Sequence, residues 1–93
     1  MPLKLIDIQP SWRKTKKYVA FFSDGTRTHF GAKGMSDFTL HKDPARKARY
    51  LARHAAHENW SDPKSAGALS RFVLWNKPTL AASIAYYKRR FRL

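Results

Sequence analysis

Apolar and polar positions change period along this chain. Between Leu3 and Ile8 they alternate, Leu3 and Leu5 against Ile6 and Ile8, and Pro10 closes the run, which reads as a short strand. A basic connection with one aromatic, Ser11 to Lys17, leads into two β-rich runs, Lys17–Phe22 and Thr26–Phe30, joined by Ser23-Asp24-Gly25. An Asp-Gly pair between such runs predicts a hairpin over about 17–31, because glycine takes the positive φ that a tight turn requires. Val19 and Phe21 oppose Tyr18, Ala20 and Phe22, so the first run is apolar on both faces and is expected at the centre of a small antiparallel sheet. Gly31-Ala-Lys-Gly34 reads as the turn that ends the sheet, its spacing being wrong for a nucleotide-binding loop.

From Asp43 onward the period becomes helical. Asp43-Pro44 supplies an N-cap with proline in the first turn, and no Gly or Pro interrupts the run to Asn59, so a helix is expected over 43–59. On that helix Leu51 falls among Ala45, Ala48, Ala52 and Ala55, which reads as the packing face. Lys42, Arg46, Arg49 and Arg53, spaced by four, three and four, align on the opposite side. Asp62-Pro63 repeats the cap signal and predicts a second helix over 64–75. Asn76-Lys-Pro-Thr79 interrupts it, and a third helix over 78–91 carries Leu80, Ile84, Tyr87 and Phe91 as its buried stripe. The expected architecture is α+β, a small antiparallel β-meander or hairpin followed by three α-helices, in a single domain spanning 1–93.

Composition changes this picture in one respect. Nineteen Lys and Arg face six Asp and Glu, for a formal charge of +13 over 93 residues. Such an excess repels itself in a compact state and calls for an anionic partner: nucleic acid, an anionic membrane or an acidic protein surface. The core material is present nonetheless, with three Trp, four Tyr and six Phe, so a disordered polybasic tail is excluded. There is no cysteine, hence no disulfide, thiolate metal site or cysteine nucleophile. Lys4 and Asp7 interrupt the short apolar start, which fits neither a signal peptide nor a membrane span, and the chain is expected to be intracellular.

The residues also carry a resemblance. His29-Phe-Gly-Ala-Lys-Gly-Met-Ser-Asp-Phe-Thr39, His41-Lys-Asp-Pro44, Arg46-Lys-Ala-Arg-Tyr50, Arg53-His54, Glu58-Asn-Trp60 and Trp75-Asn-Lys-Pro-Thr-Leu80 occur in order. Over about residues 17–84 this pattern resembles a family of small, basic, uncharacterised proteins of giant nucleocytoplasmic DNA viruses, found also in some algae and protists. The chain departs from it at Ala68-Leu69, where the family carries bulkier aromatics, and at both ends. The resemblance transfers no catalytic residue. What it implies is a setting, a virion or a viral factory in the host cell.

Little in the sequence asks for catalysis. Asp24 is accounted for by a turn and Asp43 and Asp62 by helix caps, leaving Asp7, Asp37 and Glu58 widely separated. His54 and His57 with Glu58 do not form the His-Glu-x-x-His pattern of zinc hydrolases and read as surface histidines. No enzymatic role, metal, cofactor or small-molecule substrate is expected. Lys42, Arg46, Arg49 and Arg53 place four cations over about 16 Å of helix, without an acid among them, and arginine's planar fork suits bidentate phosphate contacts. Lys14, Lys16, Lys17, Lys33, Lys88, Arg89, Arg90 and Arg92 join them as candidate nucleic-acid contacts, and Trp12, Tyr50 and Tyr86 as rings able to stack on bases.

The function expected from these features is binding of the nucleic-acid phosphate backbone, in DNA packaging or organisation in a viral context. The alternative is a minor capsid or virion structural protein that meets acidic surfaces of capsid proteins. An anionic-membrane role ranks below both, because the helix side opposite the arginines offers mostly alanine and too little bulk for insertion.

Overall fold

The computed structural model describes residues 2–93. Three strands, β1 (Leu5–Pro10), β2 (Lys16–Phe22) and β3 (Arg27–Ala32), form one antiparallel sheet in the order β1-β2-β3. β2 is central, as its two apolar faces require. The Asp-Gly turn forms as its residues dictate: Gly25 sits at φ +86°, and the Asp24 carboxylate accepts from the Thr26 amide at 2.9 Å. The sheet is followed by helices α1 (Phe38–His41), α2 (Pro44–His54), α3 (Ala66–Leu69) and α4 (Leu80–Phe91), with α3 running on into a π-helical turn, Ser70–Leu74. This is an α+β fold, as expected.

One face of the sheet supplies the core. Leu5, Ala20, Phe22 and Phe30 pack against Ala68 and Leu69 of α3, Phe72, Val73 and Leu74 of the π turn, and Tyr87 of α4. Burying each of the larger of these side chains, the Leu, Val and Phe residues, stabilises the fold by roughly 1.5–3 kcal/mol, before the entropy of ordering them is counted. α4 is capped by Thr79, whose side chain accepts from the Ala82 amide, and its stripe is the expected one, with Tyr87 fully buried and Leu80, Ile84 and Phe91 packed around it. The buried Tyr87 hydroxyl donates to the Pro63 carbonyl, so its polar tip is satisfied. Burial also pushes the Tyr87 phenol well above its ordinary range.

Four helix expectations are corrected. First, α2 starts at the Asp43–Pro44 signal, with the Asp43 carboxylate accepting from the Ala45 and Arg46 amides, but it ends at His54 rather than Asn59. The cause is tertiary: Glu58 bonds to His54 Nδ1 and to Trp60 Nε1 and lies over Gly67 of α3, where a Cβ would stand 2.9 Å from its carboxylate. Second, the alanines of α2 are exposed, and its packed side is Tyr50, flanked by the half-buried Lys47, Leu51 and His54. Tyr50 stacks on Trp75 at 4.2 Å with the rings 4° from parallel, a contact that methyl groups cannot match.

Third, Lys42 is not on α2. It closes α1 in the left-handed conformation at φ 56°, and its Nζ donates to the Thr39 carbonyl at 3.0 Å. α1 itself, capped by Asp37, is an element the periodicity does not reveal. Fourth, Asp62 makes a turn with the Lys64 amide rather than a cap, and the helix begins behind Ser65, which accepts from the Ala68 amide. Among the described residues no helix is long and apolar enough to cross a membrane.

Candidate functional site

Between the end of the sheet, α2 and α3 lies a groove of about 460 Å³. Lys16, Lys17 and Gly31 enter it from the sheet, Arg46, Arg49 and Arg53 line it from α2, and Leu74 and Trp75 enter it from the π turn and the residue that follows. The arginines reach it because Tyr50, on the same side of α2, is drawn down onto Trp75. They therefore flank the packed side of the helix instead of standing opposite to it. Gly31 makes the passage possible: it sits at φ +79°, and a Cβ there would lie 2.8 Å from Leu74 Cδ1.

Both carboxylates of the groove are already held. Asp37, buried, takes the Lys17 ammonium at 2.5 Å and the Thr39 amide at 2.9 Å. Glu58 takes His54 Nδ1 at 2.6 Å and the Trp60 indole N–H at 3.0 Å. The Lys17 charge is thus matched inside the protein, and Lys17 is not free for a phosphate as its sequence position suggests. Lys16, Arg46, Arg49 and Arg53 have no acidic or hydrogen-bonded partner for their side chains among the described residues, and the three arginines are exposed. The groove therefore presents net positive charge to solvent.

The remaining candidate cations divide into two groups. Lys33 stands by Lys16 at one end of the sheet, where the Lys33 amide donates to the Thr15 carbonyl and Lys16 pairs with Ala32, and Lys14 is an exposed residue of the β1–β2 connection. Lys88, Arg89 and Arg90 in the last turn of α4, with Arg92 behind it, do not line the groove. Arg90 lies 4.7 Å from the Phe72 ring and Arg89 5.9 Å from Tyr86, so part of that cluster covers aromatic surface.

Of the three rings expected to stack on bases, Tyr50 is corrected. It is buried between Trp75 and His54, and burial pushes its phenol up to about 12. Tyr86 is half-buried against Phe72 and faced by Lys77 and Arg89. Trp12 is 61 % exposed. It lies edge-on to His29 at 4.7 Å and tilted against Phe21 at 6.1 Å.

Sequence reasoning passed over Lys47, whose half-buried ammonium donates to the Asn76 carbonyl at 2.8 Å and sits over the Phe38 ring. Burial, then the charges of Arg71 and Lys77, hold it below the usual lysine range. Its work is to tie α2 to the chain beyond the π turn, and only the three-dimensional neighbourhood of Asn76 reveals it. His57 is exposed while His54 bonds Glu58. Among the described residues no group of three or more His, Cys, Asp or Glu side chains gathers as a metal site.

A family model described as a family of unknown function, DUF5754, matches residues 6–54. That segment holds the sheet, α1 and α2, and with them every cation of the groove, while the basic cluster of α4 lies outside it. No curated protein and no solved structure matches the chain.

Proposed function

The chain belongs to the DUF5754 family, a family of unknown function, and we propose that it is a non-enzymatic protein that binds the phosphate backbone of nucleic acid in this groove. The observation that carries the reading is the imbalance inside the groove, where two carboxylates are matched by Lys17, His54 and neighbouring donors while the exposed Arg46, Arg49 and Arg53 and the half-buried Lys16 have no acidic partner among the described residues. The arginine fork donates to two phosphate oxygens at once and stays charged at any physiological pH. The arginines span about 10 Å of α2, shorter than the stripe expected from sequence because Lys42 has left it. Lys16, Lys14 and Lys33 extend the positive surface from the sheet side. The viral resemblance supplies the setting, packaging or organisation of a DNA genome in a virion or viral factory.

Release of condensed counterions gives the test. The logarithm of affinity falls with the logarithm of salt at about −0.9 per phosphate neutralised on duplex DNA. Replacing Arg46, Arg49 and Arg53 together by Gln flattens that slope by roughly two to three units and weakens all sequences alike. Lys88→Gln with Arg89→Gln leaves it nearly unchanged, since these residues do not line the groove. An unchanged slope in the triple variant excludes the groove.

The second reading is a minor virion component seated on acidic capsid surfaces. Ile6, Met35 and Leu40, each at least 64 % exposed, favour it by offering apolar area that a protein neighbour would cover. No duplex binding at low salt, together with burial of Trp12 or Trp60 against a capsid protein, decides for that reading.

A further inference from the structure

The face of the sheet turned away from the core is built differently from the rest of the surface. Along β2 the even positions Ala20 and Phe22 enter the core, so Lys17, Val19 and Phe21 point the other way, opposite Arg27 and His29 of β3. At its Lys17 end this face meets the groove and the α1 cap Asp37; at its Phe21 end the β1–β2 connection folds Trp12 onto Phe21 and His29, and Val19, the cross-strand partner of His29, is fully buried.

That connection is held in place. Ser11 Oγ and His29 Nδ1 are 2.7 Å apart, the same hydroxyl accepts from the Arg13 amide at 3.0 Å, and the Ser11 amide donates to the Lys17 carbonyl at 3.0 Å. Trp12 is therefore a large aromatic fixed at the surface, not one that trails in solvent. The Arg27 guanidinium stands 5.9 Å from its ring centroid, and Arg13 follows Trp12 in the chain. Arg13, Arg27 and Lys16 are close enough to His29 to add their charges to the burial that lowers its pKa. The acid of the neighbouring strand, Asp7, is turned to the Ile8 amide and the Gln9 side chain.

We propose that Trp12, with Phe21 and His29 behind it, is a stacking platform for the unpaired bases of single-stranded nucleic acid. Fixed aromatics ringed by cations suit bases and backbone together, because every base has a π face and every linkage a negative charge. A duplex hides its bases, and an acidic protein patch would leave the ring itself without a matching partner. The platform and the groove share β2: Lys17, at the groove, and Phe21, at the platform, are about 13 Å apart along the strand. One strand of nucleic acid lies across both, phosphates on Arg46, Arg49 and Arg53 and bases on Trp12. This inference rests on the groove reading for the backbone and adds the bases to it.

The experiment compares two strands of about twelve nucleotides, oligothymidylate and an abasic strand of the same length and charge, each titrated against the full chain and its variants. Oligothymidylate is expected to bind about tenfold more tightly than the abasic strand and to quench tryptophan fluorescence. Trp12→Ala abolishes that margin and leaves abasic binding unchanged, which also shows that the variant is folded. Trp12→Phe retains part of the margin. Equal affinity for the two strands overturns the platform, as does a Trp12→Ala variant that weakens both alike. Failure of the groove reads separately: the Arg46, Arg49, Arg53 triple Gln variant would then bind the abasic strand as the parent does, whatever the margin between the two strands.

Discussion

Gly31 and His29 sit two residues apart on β3 and answer to different physics. At Gly31 the backbone is left-handed and a Cβ would meet Leu74 Cδ1 at 2.8 Å, so Gly31→Ala is expected to destabilise the fold by roughly 1–3 kcal/mol in urea unfolding. His29 is held below its ordinary 6.5 by burial first, then by Arg13, Arg27 and Lys16. The folded state thus binds the His29 proton less readily than the unfolded chain does. Its contribution is fully present above pH 6.5 and is lost as the pH falls below it. The melting temperature should drop between pH 7 and pH 5, and His29→Gln should flatten the drop. At this scale the local signals were legible, since Gly25, Asp43 and Pro44 act on neighbours a few residues away. Tyr50 and Lys47 were not legible, because what they touch, Trp75 and Asn76, is fixed by the far half of the chain.

Among the elements, α2 depends most on others. At eleven residues it is too short to be stable alone in water, and three supports hold it: the Asp43 cap, the Tyr50–Trp75 stack and the Lys47 bond to Asn76. Asp43→Ala is expected to cost about 1 kcal/mol in thermal unfolding. It should weaken nucleic-acid binding only where the helix frays. The strong periodic elements, the hairpin and α4, were readable from pattern because one apolar face was enough to place them. The alanine face of α2 misled for the converse reason: a small side chain gains little by burial, so a single aromatic with a flat partner outweighs four of them. The arginines were found, but their place beside the packed side, and the withdrawal of Lys17 by Asp37, depend on which face of α2 turned inward.

For the whole molecule, sheet and C-terminal helices form one core. Phe30, Ala20 and Phe22 are covered by residues from Ala68 to Tyr87, so a peptide of residues 1–61 keeps the groove arginines and the platform yet loses the cover of its sheet. It is expected to show no cooperative unfolding transition and to bind a hydrophobic dye, where the full chain unfolds in one step by both circular dichroism and fluorescence. A stable, folded fragment lacking α4 would show that the two halves are independent. The matched family segment ends at residue 54 and therefore contains the charged surface without the residues that bury the sheet behind it.

The π-helical turn at Ser70–Leu74 makes this part of the chain a gauge of fixed length. It allows Phe72, Val73 and Leu74 to be buried in succession, where a regular helix would carry one of the three outward. A further residue inserted beside it, where the wide turn has already absorbed one, rotates everything downstream by about 100°. Trp75 then swings away from Tyr50, and the Asn76 carbonyl from Lys47, so α2 loses both its flat partner and its tether. Single-residue insertions should be tolerated beyond α4 and rejected here. A change that removes no charge and touches no arginine would still erase the groove.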